Sequence, residues 1–170
     1  MRTADKLRIQ SEFREFANHE KWMSPHAVTL TMKQGLQAAN GRSSTFVKLT
    51  PQEATQNFGH FMNCMNRHAY GPASRRYGKR LPVIPVIEGG NGSRLHYHAV
   101  IECPRDDLEL RFKSLIRSSW LKTQWGHREI DIKIDANEYW LHYISKEYDK
   151  PEYDLSIDWL NYYNPSPSAI

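Results

Sequence analysis

The sequence predicts an α+β domain in which strands and helices follow one another in the order βαββαβ. Two observations carry this. Runs that are β-branched or alternate in polarity recur at 26–33, 83–88, 95–102 and 128–134. Segments with helical start signals or helical periodicity stand after the first and third of them, at 50–69 and 106–122. That order suits a split-βαβ sheet of ferredoxin-like or RNA-recognition type, with two helices packed on one face.

Each element has its own signal. Residues 5–20 read as a polar amphipathic helix with Leu7, Ile9, Phe13, Phe16 and Ala17 as its apolar positions, ended by Ser24-Pro25. HAVTLTMK, 26–33, reads as a strand, and 35–44 as a loop containing Gly, Asn and Ser. Thr50 reads as an N-cap, with Pro51 at the first helical position and Glu53 three residues on. The helix it launches runs to about Ala69, with Phe58, Phe61, Met62 and Met65 on its apolar side. A basic loop, 71–81, precedes the strand 83–88, whose internal Pro85 predicts an edge or bulged position. Gly89 to Ser93 is a turn into the strand 95–102. Asp106-Asp107 open a helix to about Lys122, and REIDIKI, 128–134, alternates as a half-buried strand. A last helix, 136–149, stops at Pro151 and is left to cover the open face of the sheet.

The 170 residues suit one domain with a single core, with 1–24 as a helical N-terminal extension and 151–170 as a tail. An aromatic share of 12% argues against disorder. No apolar run approaches the ~20 residues a membrane helix needs, so no membrane partner is expected. The first residues carry charges where a signal peptide is apolar. Cys64 and Cys103 stand far apart and make no metal spacing, which points to the cytoplasm. The net charge of +4, from 23 Lys and Arg against 19 Asp and Glu, permits a polyanionic partner without requiring one. Its distribution says more: Arg75, Arg76, Lys79 and Arg80 cluster around Tyr77, while acidic residues gather towards the C-terminus. The basic loop suits phosphate contacts and equally suits a solvated charged surface.

Chemistry concentrates in His96-Tyr97-His98. Strand alternation sends both imidazoles to one face and Leu95, Tyr97, Ala99 and Ile101 to the other, apolar one. Glu88 lies eight residues before His96, an even separation, so a symmetric hairpin register places its carboxylate beside the imidazoles. A slip of one residue would break that. The result is a three-ligand, open-sided site for a divalent ion. Two surface histidines on an open sheet are the alternative; the carboxylate in register favours the metal. On the last helix Tyr139 and Tyr143 share a face with Lys146. Taken alone, that pattern reads as aromatic packing beside a solvated lysine. Beside a metal it suggests a phenolate nucleophile.

Together these residues resemble the HUH endonucleases, and among them the rolling-circle replication initiators, or Rep proteins. Three motifs come in the family's order. Ala27-Val28-Thr29-Leu30-Thr31 is similar to its F-T-L-T strand, with Val in place of the aromatic residue. His96-Tyr97-His98 is similar to His-hydrophobic-His, with Glu88 on the preceding strand as the acidic ligand. Tyr143-Ile144-Ser145-Lys146 is similar to its Tyr-x-x-Lys. The resemblance covers residues 26–148 and implies a central antiparallel sheet of about five strands. It implies Mn²⁺ or Mg²⁺ held by Glu88, His96 and His98, Tyr143 as the nucleophile on single-stranded DNA at an origin or hairpin, and Lys146 offsetting charge at the phosphate. Tyr139 stands as a possible second nucleophile. Thr29, Thr31, Arg75, Arg76, Lys79 and Arg80 are expected to contact DNA. No helicase motif is present, so a separate helicase is the expected partner. The compartment implied is the bacterial cytoplasm with a plasmid or phage replicon, or a host replication compartment for a virus. Single-strand transposases and relaxases share this chemistry. A non-catalytic nucleic-acid-binding module shares the element order but needs neither Glu88 nor the Tyr–Lys helix. A hydrolase using activated water needs a general base that the sequence does not offer.

Overall fold

The β-branched run forms β1 (Pro25–Met32) in the computed structural model of the chain, which describes residues 11, 22–90, 92–134, 136 and 157–164. β1 is a central strand. It pairs antiparallel with β5 (Ser93–Glu102) on one side and with β6 (Gly126–Lys133) on the other. β4 (Val83–Gly90) pairs antiparallel with the far side of β5, which gives the order β4-β5-β1-β6. The connections through α1 (Pro51–Tyr70) and α3 (Asp106–Leu121) each skip one strand. This is the split-βαβ arrangement that the element order predicts.

α1 starts as its sequence requires. The Thr50 hydroxyl accepts from the Glu53 N–H at 3.2 Å, and the Glu53 carboxylate accepts from the Thr50 N–H at 2.9 Å. This capping box satisfies donors that the first turn leaves unpaired. The expected stripe of Phe58, Phe61, Met62 and Met65 is buried against the sheet. α3 adds Leu108, Phe112, Ile116 and Trp120 to the same core, and the strands add Val28, Leu30, Leu95, Tyr97 and Ile132. Phe58 stacks on Tyr97 with ring centroids 4.3 Å apart, and Phe61 meets Trp120 edge-on at 5.4 Å.

The loop expected at 35–44 is instead a hairpin, β2 (Gly35–Asn40) with β3 (Ser43–Lys48), which forms a separate two-stranded sheet. The main sheet accordingly has four strands rather than five. The hairpin escapes a pattern search because its residues lack alternation: β3 is almost wholly exposed, and only Leu36 and Val47 pack on the core. Its turn at Gly41-Arg42, with Gly41 at φ 64°, follows from Asn40-Gly41, a strong hairpin dipeptide. Within the basic loop, residues Pro72–Arg76 form a short helix, α2. Apart from Ser11 and Ala136, the expected helices 5–20 and 136–149 lie outside the described residues.

β4 is an edge strand, as Pro85 predicts. Its outer side is covered by residues 157–164, within the expected tail: Val83 exchanges backbone hydrogen bonds with Tyr163, and the Pro85 carbonyl accepts from the Asp158 N–H. Pro85 thus turns its donor-less nitrogen away from the β5 ladder, where it costs no strand–strand bond. Asp158 is 6% exposed and accepts from the Tyr97 hydroxyl at 2.8 Å and from Asn161 Nδ2 at 2.7 Å. Asn161 also donates to the Thr55 carbonyl at 2.9 Å and packs over Gly59, where a Cβ would lie 2.9 Å from its Oδ1. Burial and the Asp158 charge push the Tyr97 phenol far up, so it remains a donor.

At the opposite end of the sheet, Glu102 accepts from the backbone N–H groups of Met23 and Ser24. Burial raises its carboxyl above the ordinary value of 4.5, and the two backbone donors offset this in part. Among the described residues, no helix is long and apolar enough to cross a membrane.

Two outcomes follow for stability. Asp158→Ala leaves the Tyr97 hydroxyl buried without its acceptor and is expected to cost about 1–3 kcal/mol in urea unfolding. Glu102 holds its proton more tightly folded than unfolded, so its contribution is full below pH 4.5 and is lost as pH rises through the raised value. Glu102→Gln is expected to flatten the stability–pH curve in that window, read as Tm against pH.

Candidate metal centre

The register sought in the sequence is the one that forms: Glu88 pairs with His96 across the β4–β5 hairpin, and His98 follows two residues on, opposite Val86. The turn is held by a bulge between Glu88 and Gly90. Gly89 sits at φ 97°, and a Cβ there would lie 2.1 Å from the Arg94 carbonyl oxygen. Only glycine meets both demands. The Arg94 carbonyl that Gly89 admits so closely also accepts from His96 Nδ1 at 2.9 Å.

Three ligand atoms converge on the open face. His96 Nε2 and His98 Nε2 are 3.2 Å apart, and the Glu88 carboxylate lies 3.6 Å from the first and 3.5 Å from the second. These separations surround a point about 2 Å from each atom, the bond length of small divalent ions to imidazole nitrogen and carboxylate oxygen. A carbonyl can only accept, so His96 Nδ1 carries the ring proton and Nε2 keeps its lone pair. His98 Nδ1 lies 3.0 Å from Thr29 Oγ1, which favours the same tautomer. Two nitrogen lone pairs and a carboxylate at this spacing repel one another unless a cation lies between them. The donor set therefore fits a divalent ion, and the two imidazoles suit Mn²⁺ better than the oxygen-preferring Mg²⁺. His98 is nearly buried, at 7%, whereas His96 at 28% and Glu88 at 25% leave one side open.

The other expected residues fall into three places. Thr29 is opposite His98 on β1, with its hydroxyl engaged by the ring. Sequence reasoning placed Thr29 against DNA; the structure shows it orienting a ligand, a role legible only once the β1–β5 register is known. Thr31 faces His96 and lines an open concavity of about 570 Å³ with Arg94, Arg128 and Asp131. Arg75, Arg76, Lys79 and Arg80 lie beyond the C-terminus of α1, on the helix side of the sheet, away from the triad. Tyr139, Tyr143 and Lys146 lie outside the described residues. Residues missed in the sequence are Gly89 and Arg94, whose parts are played by backbone.

Calorimetric titration with Mn²⁺ is expected to give one site per chain, lost in Glu88→Ala and His98→Ala. Thr29→Val keeps the shape, removes the hydrogen bond to His98, and should weaken binding about 10–100-fold. Gly89→Ala should weaken it as well, by moving Arg94 off its carbonyl's bond to His96.

No curated protein and no solved structure matches the chain. Residues 25–151, most of the chain and all of the sheet, match the family model of the replication-associated protein ORF2. A strand-borne His-x-His with its acidic partner thus stands in a chain that belongs to the replication-associated protein ORF2 family.

Proposed function

We propose that the protein is a metal-dependent HUH endonuclease that nicks single-stranded DNA at a replication origin through a 5′-phosphotyrosine link and so initiates rolling-circle replication. The convergence of Glu88, His96 and His98 within 3.2–3.6 Å of one another carries this reading. Membership in a family of replication-associated proteins supports replication over transposition as its setting.

Glu88, His96 and His98 would hold Mn²⁺ or Mg²⁺, which when bound supplies Lewis-acid polarisation of the scissile phosphate. Thr31 and the neighbouring concavity receive the strand on the same face. Tyr143 is the nucleophile. Its oxygen forms a bond to phosphorus, the bond from phosphorus to the 3′ oxygen breaks, and the phenolic proton is balanced by the one the 3′ oxygen takes up. The products are a 5′-phosphotyrosine ester and a free 3′-hydroxyl. The ester keeps the energy of the cleaved bond, so reversal joins strands. Lys146, one helical turn beyond Tyr143, offsets the negative charge gathering on the phosphate. Tyr139, four residues before Tyr143, is the second candidate for attack. Unwinding falls to a separate helicase.

Reach supports Tyr143. The Ala136 N–H donates to the Pro25 carbonyl at 2.9 Å, and Ala136 packs with Ala27 and Val100 on the triad's face of the sheet. Seven residues in a helix cover about 10 Å. From Val100 to His98 and His96 is about 7–13 Å along the strand.

The test is incubation with a pool of single-stranded oligonucleotides and Mn²⁺, read on a denaturing gel and by mass spectrometry. A covalent adduct on Tyr143, absent with EDTA and absent in Tyr143→Phe, is the expected result. An adduct on Tyr139 would move the nucleophile and keep the chemistry. DNA binding without any adduct across origin-derived strands would overturn the reading.

A further inference from the structure

The groove where α1 ends and α2 begins has a volume of about 530 Å³ and is lined by His60, Asn63, Arg67, Arg75, Lys79 and Arg80 among others, with no carboxylate. Among the described residues, none of Arg67, Arg75, Arg76, Lys79 and Arg80 forms an ion pair. These five carry more positive charge than the whole chain's net excess of +4. Such a concentration costs self-repulsion, and nothing in the fold needs it, since the core beneath is apolar.

Several of the cations are held in place. The Arg80 guanidinium lies 5.0 Å from the centre of the Tyr163 ring, and the Lys79 ammonium lies 6.0 Å from that of Tyr70. Cation–π contact steadies a charge without neutralising it. The Leu81 N–H donates to Asn66 Oδ1 at 2.8 Å and ties the end of the loop to α1. Tyr77 stands in the same loop, 76% exposed.

The groove belongs to the helix layer. α1 packs on the face of β5 that holds Leu95 and Tyr97, whereas the metal ligands point to the other. Along β4 the groove adjoins the Val83 end, five residues or about 17 Å from Glu88. A phosphate in this groove cannot be the one that the triad acts on.

The geometry points to a second, metal-independent site in this groove that binds the sugar–phosphate backbone of DNA outside the cleavage point. Neighbouring cations grip successive phosphates, position the nucleic acid and read no sequence. Two sources present that backbone: duplex flanking the nick, and the single strand running away from it. The inference rests on the proposed function only for the identity of its polyanion.

The experiment is anisotropy of a labelled duplex and of its single strand across a salt series, in EDTA, with wild type and the Arg67→Ala/Arg75→Ala/Lys79→Ala variant. Retained Mn²⁺ binding and an unchanged Tm show that the variant is folded. Loss of three phosphate contacts is expected to flatten the slope of log K against log salt by about 2.7 on duplex or about 2.1 on single strand. A change on duplex alone assigns the groove to the flank, and a change on the single strand alone assigns it to the displaced DNA. Equal slopes and affinities for the two proteins on both DNAs would overturn the site. Because EDTA silences cleavage, failure of the nuclease reading shows in the adduct assay and not here.

Discussion

The two-residue period of β5 is the constraint on which the rest depends. Tyr97 is driven into the core, where Phe58 stacks on its ring and Asp158 accepts from its hydroxyl at 2.8 Å. Because Tyr97 points one way, His96 and His98 must point the other. Packing on the helix side therefore fixes the geometry on the chemical side, and no energy is spent ordering the ligands when an ion arrives. The antiparallel register with β4 then brings Glu88 opposite His96, and that with β1 brings Thr29 opposite His98. Each partner is set by strand pairing and not by a flexible loop, which suits a site that needs ligand atoms held within a few tenths of an ångström.

The sheet separates two tasks. Its helix side carries a continuous apolar core, with the basic groove at the outer edge of α1. Its other side carries the triad at one end and a small apolar cluster of Ala27, Val100 and Ala136 at the other. β4 joins these regions, since its outer backbone edge is covered by residues 157–164. An exposed edge strand invites pairing with other chains, and this cover removes that hazard while holding β4 against β5.

Much of this was legible from spacing. The even separation of Glu88 and His96 sufficed to propose the triad, and Pro85 sufficed to place β4 at an edge. Both are statements about backbone period, which sequence carries directly. What was not legible depends on long-range pairing. Thr29 looks like any β-branched strand residue until β1 is known to lie beside β5. Asp158, in a run of acidic residues, gives no sign of its burial, because its partner Tyr97 stands 61 positions away. The β2–β3 hairpin was hidden for another reason: a pair of exposed strands has no apolar alternation, and only Asn40-Gly41 marks it. The position of the basic cluster on the helix side follows from packing of α1, which no local pattern encodes.

The covered edge bears on the proposed chemistry as well. The chain leaves the sheet at Ala136, bonded to Pro25, and is back on it at Ile157, bridged to Val86 next to Glu88's strand neighbours. Whatever path residues 137–156 take, both of their ends are fastened to the sheet that holds the triad. A nucleophile supplied from between two such fixed points is confined to a small volume. Confinement converts attack into an intramolecular event, an advantage that reaches effective molarities of roughly 10⁵ M and above in well-oriented systems. On this reasoning the Tyr97–Asp158 bond does more than complete the core. It joins the strand of the metal ligands to the segment that closes the tether, so one buried hydrogen bond ties the metal side of the reaction to the tyrosine side.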